Sequence, residues 1–221
     1  MKQCLRLLSA GLVVAAACAT PPPPLTLPGD PFFSVAAPDS FDVELRTAKG
    51  PLVVRVRRDW APLGADRFHA LVRGGFYDGQ AFFRVIRGFV AQFGLHGDAA
   101  VAEAWRERTI PDDTVGAENV RGTLTFARSG QDSRTTQLFF NLGDNRRLDT
   151  TDGFGFAPIG RVVEGLPVLD ALNPEYSGPA GRELPDGPHQ DSIWARGEAY
   201  LVEKFPNLDR IERARVVRSW D

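Results

Sequence analysis

Few side chains in this 221-residue chain have the types and spacing that bond-breaking chemistry needs. The three histidines, His69, His96 and His189, stand apart, and none has a second histidine at metal-ligand spacing. The two cysteines, Cys4 and Cys18, both lie near the start of the chain. The sequence contains no Gly-Xaa-Ser-Xaa-Gly elbow and no glycine-rich phosphate loop followed by Lys. Asp112-Asp113 reads as a solvated loop or a helix cap, not as a catalytic carboxylate pair. No metal site and no cofactor is expected. What stands out is the segment Phe82 to Gly94, almost entirely apolar, with Arg84 and Gln92 set inside strand-forming runs. Taken alone, these two would read as a surface arginine and a capping amide. Held against an apolar floor they would form a fixed, permanently charged donor with an amide beside it.

The elements that must position them are mostly strands. Phe41, Val43 and Leu45 alternate with Asp42, Glu44 and Arg46, and Leu52, Val54 and Val56 alternate after the Lys49-Gly50-Pro51 turn, so the domain opens with a β-hairpin. From Pro62 the period becomes helical, with Phe68, Leu71 and Val72 on one face and Gly74-Gly75 as the stop. Strand-like runs recur at 81–86, 89–93, 122–127, 138–142 and 159–163. A second short helix is expected near Val168 to Leu172. Trp194, Leu201 and Phe205 fit a helical face ended by Pro206, and Ile211 to Val217 fits a closing strand. Many short strands with few helices indicate a mainly β domain, a closed barrel or a sandwich.

The segment Phe82-Phe83-Arg84-Val85-Ile86-Arg87-Gly88-Phe89-Val90-Ala91-Gln92-Phe93-Gly94 resembles the signature of the cyclophilin family of peptidyl-prolyl isomerases. Gly122 to Arg128 followed by Thr136-Gln137-Leu138-Phe139-Phe140 resembles that family's middle strands. Leu148-Asp149 and Ile159 to Gly165 resemble the strand and turn before its second helix. The agreement runs in order from about Phe41 to Val217. It implies a closed eight-stranded antiparallel β-barrel capped by two or three helices. Position by position, it implies Arg84 as the catalytic arginine and Gln92 as the glutamine orienting substrate beside it. Phe89, Phe139 and Leu148 would wall the proline pocket, with Phe156 near the position of a pocket histidine. Ala127 and Arg128 would lie on the strand whose backbone pairs with the residue before proline. The pocket is expected to be an apolar floor under one fixed cation.

Rotation about an X-Pro bond breaks no covalent bond, but amide resonance sets a barrier of about 18–20 kcal/mol. A donor that meets the twisted amide better than the planar one lowers it. Neither metal, nucleotide nor general base is required. The resemblance has departures. Arg147 stands where the family's pocket often has tryptophan, which implies weak binding of cyclosporin-type macrocycles. The loop from Thr150 to Ala157, which carries Phe156, is longer than in the compact family pattern; Phe93 replaces a glycine and Arg128 a common asparagine, and these two are expected to narrow substrate choice.

Residues 1–17 read as an export signal: Lys2 and Arg6 precede an apolar stretch, Leu7 to Ala17, too short to span a bilayer. Ala15-Ala16-Ala17-Cys18 resembles a bacterial lipoprotein signal, which implies lipidation at Cys18. Ordinary secretion with a passenger cysteine is the alternative. Removal of the signal takes Cys4 with it and leaves no disulfide. It also leaves 24 Lys and Arg against 28 Asp and Glu, a net charge of about −4, which offers nothing to nucleic acid. Residues 18–38, with Pro21 to Pro24, read as a tether, and residues 39–221 as one domain. The expectation is therefore an exported monomer of the periplasm or cell envelope, anchored by lipid to the outer membrane, that acts on proline-containing segments of client proteins. Its rivals are a proline-segment binding module with little turnover and a structural envelope lipoprotein; Arg84, Gln92 and Phe139 together favour the enzyme.

Overall fold

A computed structural model describes residues 21–177 and 187–221. The expected signal, Cys18 and residues 178–186 lie outside the described residues. Among these there are eight strands and five α-helices. The strands are β1 (Ser40–Thr47), β2 (Gly50–Arg57), β3 (Arg84–Ile86), β4 (Val90–Phe93), β5 (Thr123–Phe126), β6 (Leu138–Asn141), β7 (Pro158–Glu164) and β8 (Ile211–Trp220). The helices are α1 (Pro62–Arg73), α2 (Ala99–Arg106), α3 (Leu166–Ala171), α4 (Gln190–Arg196) and α5 (Glu198–Lys204).

All eight strands join one antiparallel sheet in the order β3-β4-β6-β5-β7-β2-β1-β8. The closed barrel expected from the sequence is corrected: the sheet is open between β3 and β8. β3 is only three residues long, and the seam is spanned just ahead of it, by the bridge Ala81–Arg210 and by bonds such as Phe82 N to the Asp209 carbonyl. Period-two alternation sets the faces. Ala91, Phe140 and Leu124 stand opposite one another across β4, β6 and β5 and point into the core, as do Phe93, Leu138 and Phe126. Phe93 therefore packs against Phe140 in the core, 5.8 Å between centroids, with its side chain away from the surface.

The expected count of two or three helices is also corrected. α2 arises in the 95–119 stretch, capped by Asp98, whose Oδ1 accepts from Ala100 N. The single helical face expected near Trp194 to Phe205 is two helices, because Gly197 adopts φ +54° between them. Ile193, Leu201 and Phe205 of this pair bury against Phe83 and Leu95 in a second apolar cluster beside β3.

The tether read as running to Pro38 is packed on the domain from Leu25 onward. Phe33, in a 3-10 turn at Pro31–Ser34, is buried edge-on to Trp105 at 5.1 Å. Trp105 Nε1 donates to the Leu25 carbonyl, and Ala37 N donates to Asp66 Oδ1 on α1. Apolar side chains in the proline-rich stretch thus complete a core that begins before position 39.

Candidate active site

The hairpin β3–β4 turns at Gly88, which takes φ +72°. The turn pairs Arg84 with Gln92, and the next pairing sets Gln92 opposite Phe139 on β6. Directly opposed residues of an antiparallel ladder share a face, so three strands place Arg84, Gln92 and Phe139 in one row on the side away from the core. Gly94 ends β4 at φ +110°; a Cβ there would lie 2.6 Å from Gln137 Cα, so only glycine lets β4 approach the residue before β6.

Arg84 Nη1 donates to Gln92 Oε1 at 3.3 Å, and Gln92 Nε2 donates to Gln137 Oε1 at 2.9 Å. The Arg84 guanidinium carbon lies 5.6 Å from the centroid of Phe89. Phe139 and Phe156 meet edge-on at 6.0 Å. Leu148 is half-buried, and its carbonyl accepts from Phe156 N. The structure therefore brings Arg84, Gln92, Phe89 and Phe139 together, and it sets Phe156 against Phe139 and ties Phe156 to Leu148 through the backbone.

One expectation for this site is corrected. The rings do not lie under one cation: Arg147 stands over Phe89 at 4.8 Å and Arg128 over Phe156 at 4.5 Å. The Arg128 side chain is held inside the fold. Its side chain is 2% exposed, and it donates through Nε to the Gly155 carbonyl and through Nη2 to the Thr151 carbonyl. It fastens the loop that carries Phe156. Ala127 lines a groove of about 370 Å³ beside Gln92 and Gln137, and its own N–H is taken by the Gln137 carbonyl.

A buried set of polar residues holds these walls in place. Asn119 and Asn141 are wholly buried and Asn145 nearly so. Asn145 Nδ2 donates to the Phe89 carbonyl at 2.8 Å and to Asn141 Oδ1 at 2.7 Å. Asn119 Oδ1 accepts from Asn141 Nδ2 and Thr125 Oγ1, and its Nδ2 donates to Phe156 O and Asp149 Oδ1. These bonds lie in a buried setting where an unmade bond is costly. Sequence reasoning missed these asparagines, because isolated amides in loops or at a strand end carry no periodic signal.

Among the described residues no group of three His, Cys, Asp or Glu could hold a metal ion, and no helix is long and apolar enough to cross a membrane. Burial, with a smaller push from Arg73, lowers His69 to about 4. Burial lowers His96 as well, and neither ring faces the Arg84 row. The site offers a permanent cation, amides and ring faces. Beside it, His189 and Asp191 line a cavity with Arg84 and Gln92.

The family model described as cyclophilin type peptidyl-prolyl cis-trans isomerase/CLD matches residues 41–189. Peptidyl-prolyl cis-trans isomerase B of Escherichia coli (strain K12) is 33% identical over 156 residues, covering 68% of this chain and 94% of the relative. Peptidyl-prolyl cis-trans isomerase A of Dickeya dadantii is 36% identical over 140 residues, 62% of this chain and 74% of the relative. A crystal structure of a Cryptosporidium parvum cyclophilin type peptidyl-prolyl cis-trans isomerase has the same fold, with TM-score 0.58 at 18% identity over 81% of this chain and 99% of that one. The same protein has been solved in the presence of the dipeptide Ala-Pro. The chain belongs to the cyclophilin-type peptidyl-prolyl cis-trans isomerase family.

Proposed function

We propose that this chain catalyses cis/trans rotation about X-Pro bonds of exported proteins, with Arg84 as the catalytic residue. The row Arg84–Gln92–Phe139 carries this reading. A prolyl ring set against Phe89, Phe139, Leu148 and Phe156 would be shielded from water, which strengthens any charged hydrogen bond beside it. As the amide twists, its nitrogen loses conjugation and becomes pyramidal and basic. A guanidinium donor then gains an interaction that the planar ground state does not offer. Gln92 keeps that donor aimed, and the strand end at Ala127 and Arg128 supports the residue before proline. An acceleration of about 10^5-fold corresponds to roughly 7 kcal/mol of differential stabilisation. A charged hydrogen bond, ring burial and backbone pairing together reach that range.

The export signal over residues 1–17 and the small residues before Cys18 support a lipid-anchored protein of the cell envelope, on the outer membrane, acting there as a monomer on proline-containing segments. Lipid attachment is read by mass spectrometry of the mature N-terminus; an unmodified Cys18 would leave secretion without an anchor.

Catalysis is tested by magnetisation-exchange NMR or a protease-coupled assay on prolyl peptides, comparing the purified protein with Arg84→Ala. The variant is expected to lose about 10²-fold or more in kcat/KM while remaining folded. A wild-type protein that binds prolyl peptides without accelerating their exchange would make this a binding module.

A further inference from the structure

The hydrogen bonds that orient Arg84 do not end at Gln137. Gln137 Nε2 donates to Oε1 of Gln190, the first residue of α4, at 3.0 Å. A directed chain thus runs from Arg84 Nη1 to Gln92 Oε1 at 3.3 Å, from Gln92 Nε2 to Gln137 Oε1 at 2.9 Å, and on to Gln190. We propose that Gln190 is a positioning residue for Arg84, acting through Gln137 and Gln92.

The direction of the chain follows from the chemistry of its first member. A guanidinium only donates, so the oxygen of Gln92 must face Arg84 and its NH2 must face away. That NH2 requires the oxygen of Gln137, whose own NH2 then requires an acceptor beyond it. Gln190 supplies that acceptor. Each amide is polarised by the one before it, which makes the set stronger than its separate pairs.

The far end of the chain is anchored. Ile193, three residues further along α4, is fully buried in the cluster that also holds Phe83, the neighbour of Arg84. Trp194 lies under the Arg106 guanidinium of α2 at 5.6 Å. α4 is therefore fixed to the strand it helps to tune. Gln92 is 8% exposed and its bond to Gln137 is partly buried, whereas the Gln137–Gln190 bond lies at the surface, where Gln190 is the fixed acceptor. With no acceptor at 190, the Gln137 amide is free to turn its NH2 toward Gln92. That would bring two donors together and loosen the hold on Arg84.

This inference rests on Arg84 being the catalytic residue. The experiment compares wild type with Gln190→Leu, Gln190→Lys and Gln190→Glu, by prolyl-peptide exchange and by 15N NMR of the Gln side-chain amides and of Arg84 Nε. Leu removes the acceptor, Lys replaces it with a donor, and Glu keeps it. Leu and Lys are expected to lower kcat about three- to tenfold with KM within about twofold, and Glu to stay near wild type. The Gln92 and Gln137 amide signals and Arg84 Nε are expected to shift in Leu and Lys but not in Glu, with the thermal midpoint held. Unmoved Gln92 and Arg84 signals in the Leu variant would overturn the proposal, as would a Glu variant as slow as Leu. If wild type itself proves inactive, the catalytic reading of Arg84 fails, while the NMR shifts still decide whether Gln190 sets its position.

Discussion

The side-chain amide of Asn119 donates to the Phe156 carbonyl at 2.7 Å, and the same nitrogen donates to Asp149 Oδ1 at 2.8 Å. One wholly buried residue thus grips both ends of the loop that carries Leu148 and Phe156. Asn119→Ala strips partners from a carbonyl, a carboxylate, the Thr125 hydroxyl and the Asn141 amide. A loss of about 2–4 kcal/mol in unfolding free energy is expected, read by urea denaturation. Because the walls loosen while Arg84 stays in place, KM should rise more than kcat falls. An equal fall in kcat with KM unchanged would show that the network acts on Arg84 instead.

α1 starts at Pro62 after Ala61, which offers no side-chain cap, and the helix is capped from a distance by Asp113. Its carboxylate accepts from Leu63 N and Gly64 N and from Arg134 Nη1 at 2.9 Å, with both members of the ion pair buried. Asp113→Ala leaves a buried guanidinium and two helix N–H groups without their acceptor. It is expected to destabilise by about 3–5 kcal/mol. Asp112→Ala, which removes a more distant partner of the same arginine, should cost well under half as much. Thermal unfolding of the two variants side by side checks this.

His69 lies on α1 with its ring 4.8 Å from Phe41, and its Nδ1 has no hydrogen-bond partner among the described residues. Burial holds its folded-state value at about 4 against an ordinary 6.5. The unfolded chain therefore takes up a proton before the folded one does. The stability of neutral His69 is fully present above pH 6.5 and is lost as pH falls to about 4, by up to roughly 3 kcal/mol. His69→Leu should flatten the stability curve across that window. A slope unchanged by the substitution would assign the acid sensitivity to other groups.

Arg84 and Gln92 were singled out by the resemblance to a family signature; alone they read as a surface arginine and a capping amide, and local geometry explains only their pairing. A tight turn at Gly88 and strict alternation carry Arg84 opposite Gln92, and the same alternation separates the core faces of β4 and β6. The helix-cap reading of the Asp112-Asp113 pair also holds for Asp113. Contacts between distant loop residues were not readable. Asn119 lies 22 residues from Asn141 of β6, and only the folded sheet brings these two amides within bonding distance. Phe32 and Phe33 were the overlooked sign in the supposed tether: adjacent aromatics are poorly suited to a solvated spacer, and Phe33 is in the core. The open seam escaped notice because the sequence does not show that pairing stops after three residues of β3.

Arg128 gives the sharpest contrast between a residue that touches substrate and one that shapes the pocket. Its guanidinium is spent on the carbonyls of Gly155 and Thr151 and on the face of Phe156. Gly155 itself takes φ +68°, and a Cβ there would come 2.7 Å from Val115 Cγ2, so the loop has little freedom to find another anchor. Arg128→Lys keeps the charge but not the planar fork that serves two carbonyls while stacking on a ring. The lysine variant is therefore expected to behave much like Arg128→Ala, each losing about 1–3 kcal/mol of stability. Both should become more sensitive to proteolysis between Thr150 and Phe156, and both should raise KM for prolyl peptides. If charge alone mattered, lysine would rescue the alanine variant in the kinetic assay; if geometry matters, as the two carbonyl bonds imply, it will not.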